Sequence, residues 1–174
     1  LALDNQAEGV NYIEVRFAPQ LLIDLTRGID FDQIMHAVNN GLKQAMQEYN
    51  ATEAVLSGQK PPFYYGIINC AMRMIGNKGF SPYYTNLFQL MRDFAPMDVI
   101  KLAAMELVRA SVRLRDEEGI PIVGLDLAGQ EAGYPAGKFK EVYEYAHQHF
   151  LLKTLHAGEA YGAESVFEAI TECY

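Results

Sequence analysis

Four short apolar segments, separated by longer segments with helical periodicity, constrain the fold of this chain more than any other feature. They occupy residues 11–17, 64–72, 122–127 and 151–156. None shows a long apolar–polar alternation, which is typical of strands covered on both faces, as in parallel sheets. The order, a strand followed by helical sequence four times over, predicts an α/β fold with parallel strands joined by right-handed crossovers.

The segments between the strands predict amphipathic helices with definite ends. Asp30 and Gln33 form a candidate capping box before a helix over residues 30–49. A Ser-Pro pair predicts that a second helix begins near Pro82 and runs to about residue 94, where Pro96 is expected to end it. The remaining helices are predicted over 97–118, ended by Gly119, over 138–150, with Phe150 on the apolar side, and over 163–173.

Composition limits the size and the partners of the fold. With 174 residues, half of them hydrophobic, the chain suits one domain over 1–174 with one sizeable core. A net charge of −8 disfavours nucleic acid as a partner, and no apolar segment reaches membrane-spanning length. Cys70 and Cys173 form no C-x-x-C pair, which favours a reducing, cytoplasmic location. Abrupt ends without an initiating Met predict a piece of a larger protein.

Polar residues stand near the carboxyl end of every predicted strand, so parallel strands would bring them into one layer. They are Glu14 and Arg16 on the first strand, Met72 and Arg73 on the second, Asp126 followed by Gly129 on the third, and His156 with Glu159 on the fourth. The alternative is a structural network of ion pairs among Glu14, Arg16, Arg73 and Asp126, because buried charges are usually paired.

The segment His156-Ala157-Gly158-Glu159 combines an imidazole, a flexible glycine and a carboxylate where a buried strand is expected to end. A metal-activated water needs a neutral imidazole ligand and a nearby proton carrier, and these residues offer one of each. From the residues alone, a core histidine that donates to a backbone carbonyl is the more usual alternative. Gly129 similarly reads either as a turn residue or as a bare N–H offered to a ligand.

Taken together, four blocks resemble the adenosine deaminase family across nearly the whole chain. They are Tyr12 to Pro19, Cys70-Ala71-Met72-Arg73, Gly124 to Glu131 (G-L-D-L-A-G-Q-E) and His156-Ala157-Gly158-Glu159. The resemblance implies part of a (β/α)₈ barrel of the TIM type, with about strands two to five present. It also implies zinc-dependent hydrolytic deamination of adenosine to inosine and ammonia, a hydrolase activity of purine salvage.

The same resemblance implies a role for each candidate residue. His156 would be a zinc ligand, and Glu159 would protonate N1 of the purine. The Gly129 N–H would hold N3, while Met72 and Asp126 would belong to the substrate pocket. Glu14, Arg16 and Arg73 would support the site.

The chain also departs from the family pattern. The family's zinc further uses an H-x-H pair on the first strand, a His on the sixth and an Asp on the eighth, and the four strands predicted here, about the second to the fifth, carry none of them. We therefore expect no activity from this chain alone and zinc that is absent or weakly bound. Two unpaired sheet edges predict self-association or completion by missing barrel segments. Residues 76–96 exceed the usual family length, which predicts an inserted helical excursion.

Two other functions remain open from the sequence. One is deamination of adenine or an adenine nucleotide; a nucleotide would need cationic phosphate contacts, which the acidic balance disfavours. The other is a non-catalytic half-barrel that serves as a binding or assembly module.

Overall fold

The computed structural model describes residues 1–75 and 81–173, and in them the chain forms a parallel four-stranded sheet. The strands are β1 (Tyr12–Phe17), β2 (Tyr64–Met72), β3 (Ile122–Ala128) and β4 (Leu152–Lys153). Each strand pairs with the next in the chain, in the order β1-β2-β3-β4. The predicted α/β fold with parallel strands is confirmed.

Helices alternate with the strands as the sequence predicts. In the described part of the chain they are α1 (Ala2–Ala7), α2 (Phe31–Asn50), α3 (Glu53–Leu56), α4 (Pro82–Leu90), α5 (Pro96–Glu118), α6 (Lys140–Gln148) and α7 (Ala163–Glu172). Short 3-10 turns lie at Pro19–Leu21, Leu25–Arg27 and Ala136–Phe139. None of the helices in the described ranges has the length and apolar character needed to cross a bilayer.

The helix ends follow from local chemistry. Asp30 and Gln33 form the predicted capping box: the Gln33 N–H donates to the Asp30 carboxylate at 2.8 Å, and the Asp30 N–H donates to the Gln33 side chain at 3.1 Å. Gly119 ends α5 with a φ of +68°. Pro96 was expected to end α4, but α4 ends at Leu90 and Pro96 is the first residue of α5. This position suits proline because a first-turn N–H has no helical acceptor.

Two boundaries near β4 differ from the prediction. The helix over 138–150 is shorter, and Phe150 is 92% exposed at a φ of +57°, so its predicted packing is wrong. The left-handed turn at Phe150 buries Leu151 in its place. Although β4 itself covers only two residues, the amides of Thr154 and His156 still donate to β3 carbonyls, at 2.8 and 3.2 Å. The expected strand over 151–156 is therefore extended and bonded, but only partly a regular strand.

The two faces of the sheet have different neighbours. Ile67, Leu125 and Leu127 join the hydrophobic cluster that the helices cover, whereas Cys70 and Asp126 lie outside that cluster on the opposite face. A shift in register between β2 and β3, at Ile67/Ile68, leaves Val123 as an extra residue. Because side chains alternate along a strand, this bulge turns Asp126 away from the helix-covered face.

The segment over residues 76–96 contains α4, whereas residues 76–80 lie outside the described part of the chain. The Ser81 hydroxyl accepts from the Tyr84 amide at 3.4 Å and so caps α4. The helix is anchored through the fully buried Gln20, which accepts from the Tyr84 hydroxyl at 2.8 Å and donates to the Ala103 carbonyl at 2.8 Å. The predicted helical character is confirmed for α4, and the status of the segment as an insertion stays a prediction.

Candidate active site

Asp126 is the centre of a polar cluster on the face of the sheet opposite to the helix-covered one. Its carboxylate has no exposed surface and lies 3.0 Å from Nδ1 of His156 and 3.6 Å from Nε of Arg16. The Cys70 thiol donates to the same carboxylate at 3.3 Å. Burial, reinforced by Asp126, raises the pKa of Cys70 to about 12, so the thiol remains a neutral donor. Asp126, predicted as a substrate contact, touches three protein side chains, and this geometry suits a carboxylate that holds His156.

His156 is fixed through both its backbone and its ring. Its N–H donates to the Leu127 carbonyl at 3.2 Å, and Nδ1 lies within 3.2 Å of both Asp126 oxygens. A carboxylate next to Nδ1 keeps the ring proton on that nitrogen. Nε2 then carries the lone pair that could bind a metal ion. The side chain is 40% exposed and its ring partner is a carboxylate. The arrangement thus differs from that of a core histidine bonded to a backbone carbonyl.

Arg73 holds the backbone around His156 in place. It is completely buried and donates to the carbonyls of Leu127 at 3.4 Å, Tyr134 at 3.3 Å and His156. Within the described ranges it forms no ion pair, because its partners are main-chain oxygens. Since one guanidinium joins β3, the loop after it and the segment that follows β4, Arg73 fixes the backbone next to the imidazole.

The alternative of a four-membered ion-pair network is only partly present. Arg16 and Asp126 form a pair, but Arg73 bonds to main-chain carbonyls. Glu14 is exposed on β1 and accepts a hydrogen bond from the Tyr12 hydroxyl at 2.8 Å. Burial is the main cause that raises the pKa of Tyr12, and this hydrogen bond is the second. The charged residues therefore surround the site without neutralising one another as a group.

Gly129 and Met72 lie together where β2 and β3 end. Gly129 has a φ of +103°, and a Cβ there would lie 3.4 Å from Cε of Met72 and 3.7 Å from Cγ of Arg73. A side chain at this position would be strained and would fill the space next to Met72. Glycine therefore leaves an exposed stretch of backbone beside a flexible apolar side chain.

Glu159 lies in the bend that follows His156, with its side chain exposed to solvent. The sequence placed it at or near the opening of the next helix, but α7 begins four residues later, at Ala163. Gly162, with a φ of +79°, precedes that helix and delays its start. The carboxylate is thus carried by a loop rather than by a helical turn.

Glu131 has the densest set of hydrogen bonds near the site, and sequence reasoning gave it no role. Its buried carboxylate accepts from the amides of Gly158 and Ala160, each at 2.6 Å, from the Tyr161 amide at 3.1 Å and from the Ser165 hydroxyl. The Ser165 hydroxyl, followed by these amides, lowers the pKa of Glu131 to about 2. The one sequence signal for Glu131 was its position two residues after Gly129. Its partners are mainly backbone amides, which leave no pattern of side chains in the sequence.

The metal-ligating potential of the described residues is limited. They contain no group of three or more His, Cys, Asp or Glu side chains that could hold an ion. In this described cluster, His156 presents a ring nitrogen that could bind an ion, next to the buried carboxylate of Asp126. Any metal at this corner would need further ligands from outside this cluster.

A glycine backbone, an oriented imidazole and an exposed carboxylate lie near the carboxyl ends of adjacent parallel strands, which is the end of the sheet where barrel-type α/β enzymes carry their active sites. The family model described as adenosine deaminase matches residues 1–174. The chain belongs to the adenosine deaminase family.

Curated relatives share about a third of their residues with this chain. The adenosine deaminase of Mycobacterium ulcerans is 33% identical over 172 residues, and that of Mycobacterium tuberculosis is 32% identical over 174 residues. The alignments cover 98% and 99% of this chain but only 36% and 37% of those proteins. The chain thus spans little more than a third of the length of the relatives it matches.

Solved structures show the same fold in longer proteins. An adenine deaminase from Arthrobacter aurescens superposes with a TM-score of 0.67 at 20% identity, over 99% of this chain and 40% of the other. An Arabidopsis N6-mAMP deaminase gives a TM-score of 0.64 at 22% identity, over 95% and 39%. The predicted partial (β/α)₈ barrel is confirmed by these matches.

Proposed function

We propose that this chain is a central part of a zinc-dependent adenosine deaminase, which hydrolyses adenosine to inosine and ammonia in purine salvage. The observation that carries the proposal is the contact between Asp126 and Nδ1 of His156, at 3.0 Å. A metal-ligating histidine usually donates its second ring N–H to a carboxylate or carbonyl, which orients the other nitrogen toward the ion. Asp126 and His156 have this relation at the carboxyl end of the sheet.

The donor chemistry of this corner fits one zinc ligand. Nε2 of His156 would bind the ion, and when bound the ion would supply the Lewis acidity that activates water at neutral pH. The chain offers one oriented ligand, so the rest would come from segments that the longer relatives have beyond it. Isolated, this chain should accordingly hold zinc weakly or not at all.

The remaining residues would bind and protonate the purine. Glu159, exposed in the loop after His156, would carry the proton to N1. The N–H of Gly129 would hold N3, because the glycine leaves its backbone accessible next to Met72. Met72 would pack against the ring, since a thioether adapts its shape to an apolar ligand. Arg16 and Arg73 would hold the surrounding groups in place.

The charges of the site favour a neutral nucleoside over a nucleotide. Of the two arginines in the described site, Arg16 is paired with Asp126 and Arg73 is buried against carbonyls. Both guanidinium groups thus already have acceptors within the protein. The relatives at 32–33% identity are adenosine deaminases. A comparison of kcat/KM for adenosine, adenine and AMP tests this choice: adenosine should be preferred, and a preference for AMP would contradict it.

The open edge next to β4 supports the proposal that the barrel is completed by further segments. A groove of about 850 Å³ lies there, lined mainly by apolar side chains such as Leu152, Val166 and Ile170. A following strand and helix would cover these groups and pair with the edge of the sheet. This chain alone should therefore show no turnover of adenosine and should self-associate. A monomeric, active chain would contradict this proposal and would favour a smaller catalytic unit.

Glu159→Gln provides the main test of catalysis. The complete protein, meaning this chain together with the segments of its longer relatives, should keep its zinc content and lose about 10²- to 10⁴-fold in kcat, the usual contribution of general acid–base catalysis. Glu164→Gln, an exposed carboxylate in the first turn of α7, is the matched control and should retain activity. Equal activity of the two variants would remove Glu159 from the mechanism. A wild-type protein that turns over no purine would favour the alternative function, a non-catalytic half-barrel that serves as a binding or assembly module.

A further inference from the structure

The loop that carries Glu159 is held from both sides by one carboxylate. Glu131 accepts hydrogen bonds from the amide before Glu159, at Gly158, and from the amide after it, at Ala160, each at 2.6 Å. It also binds the amide of Tyr161 at 3.1 Å. Three amides of one short loop therefore converge on a single buried side chain.

The same carboxylate joins this loop to the helix that follows. The Ser165 hydroxyl, which is buried in the first turn of α7, donates to Oε1 of Glu131. Glu131 itself follows β3, the strand that carries Asp126. Thus the loop after β3, the loop after β4 and the start of α7 share one hydrogen-bonded centre.

The loop needs such an anchor because its backbone is intrinsically permissive. Gly158 and Gly162, at φ values of +82° and +79°, flank the bend, and Glu159 is exposed. Glycine on both sides gives a loop many alternative conformations. Charge-assisted hydrogen bonds are stronger than neutral ones, so one ionised carboxylate can select among those conformations.

We propose that Glu131 is a positioning residue for catalysis: it fixes the loop over residues 158–161, and through it the Glu159 carboxylate, relative to His156. This inference rests on the proposed function, because positioning matters only if Glu159 carries a proton to the substrate. Glu131 contacts neither the substrate nor a metal in this scheme. Its effect is on geometry, where an error of about 1 Å can lower the rate by roughly a hundredfold.

The test combines amide exchange with kinetics in the complete protein. Glu131→Gln keeps the size of the side chain but removes the charge and places an NH₂ group where an acceptor is needed. We expect the amides of Gly158, Ala160 and Tyr161 to exchange at least about tenfold faster, as when a charge-assisted hydrogen bond is lost. We also expect kcat to fall on the order of ten- to a hundredfold, with KM changed less than about twofold.

Two further variants separate positioning from a general loss of stability. Glu141→Gln, an exposed carboxylate in the first turn of α6, is the control and should leave exchange and kinetics unchanged. Ser165→Ala removes the bond to α7 and keeps the carboxylate, so it should give a smaller change in the same direction. It also preserves the test if Glu131→Gln does not fold.

Each outcome decides the inference. Faster exchange with lower kcat and constant KM supports the positioning role. Unchanged exchange in Glu131→Gln, or faster exchange with wild-type kcat, overturns it. If the wild-type protein deaminates no purine, the proposed function fails and positioning fails with it, whereas faster exchange in the variant still shows that the carboxylate holds the loop.

Discussion

The effect of Gly158→Ala on the free energy of unfolding can be divided into a backbone contribution and a packing contribution. Gly158 lies between His156 and Glu159 at a φ of +82°. A Cβ built there would lie 2.7 Å from Cγ2 of Val166 on α7 and 3.6 Å from the Gly162 carbonyl. Alanine would therefore meet two separate obstacles, its own conformation and the side chain of Val166.

The two obstacles have comparable magnitudes. A left-handed conformation costs a residue with a Cβ about 1–2 kcal/mol, and forcing a methyl group into occupied space costs about 1–3 kcal/mol. Val166 is 40% exposed in this chain but lies in the groove that further segments would cover in the complete protein, so its truncation should cost about 1–3 kcal/mol, up to the range for a fully buried side chain. Gly158→Ala should thus lower the free energy of unfolding by roughly 2–5 kcal/mol.

A double-mutant cycle separates these contributions. Gly158→Ala combined with Val166→Ala removes the overlap and leaves the conformational cost, so the two changes should couple favourably by about 1–3 kcal/mol. Gly133→Ala is the matched control, because Gly133 has a φ of +84° and nothing within 4 Å of an added Cβ. It should lose only about 1–2 kcal/mol. The assay is urea unfolding of the complete protein.

The expected coupling makes this reasoning refutable. A coupling energy within about 0.5 kcal/mol of zero, the usual limit for independent sites, would show that Val166 does not confine Gly158. A loss in Gly133→Ala as large as that in Gly158→Ala would leave no separate packing contribution.

Three other predictions concern buried groups in and around the candidate site. Asp126→Asn should weaken zinc binding about 10- to 100-fold in the complete protein, measured by competition with a chelator, because Nδ1 of His156 loses its carboxylate. The pKa of Glu131 falls from 4.5 to about 2 in the fold, so its stabilising contribution is complete above about pH 4.5 and is lost as the pH falls toward 2. Urea midpoints should accordingly drop more steeply with acid in the wild type than in Glu131→Gln, and parallel curves would contradict this. Burial raises the pKa of Cys70 from 9.0 to about 12, so its alkylation at neutral pH should be on the order of a thousandfold slower in the native state than after unfolding; similar rates would refute its burial.

The fold was largely predictable because it depends on patterns that span many residues. The four apolar segments locate the four strands, and the Asp30 capping box and Gly119 locate helix ends. The failures are at positions where one residue decides. Pro96 can end or begin a helix, and it begins α5. Phe150 could have continued an apolar face, but a left-handed turn buries Leu151 instead.

The sequence predicted which candidate residues come together better than it predicted their individual contacts. Strand ends correctly indicated that Arg16, Asp126 and His156 come together. The bulge at Val123, which determines the face on which Asp126 lies, has no signature in the apolar pattern. Arg73 and Glu131 bind main-chain groups. Sequence periodicity cannot show such contacts, because every residue carries the same backbone donors and acceptors.

The most direct test of the account is the position of the metal in crystals of the complete protein. Anomalous diffraction at the zinc edge should show an ion about 2.0–2.1 Å from Nε2 of His156, with Asp126 still bonded to Nδ1. An active protein whose zinc lies elsewhere, or whose His156 binds Asp126 through the opposite ring nitrogen, would contradict the account.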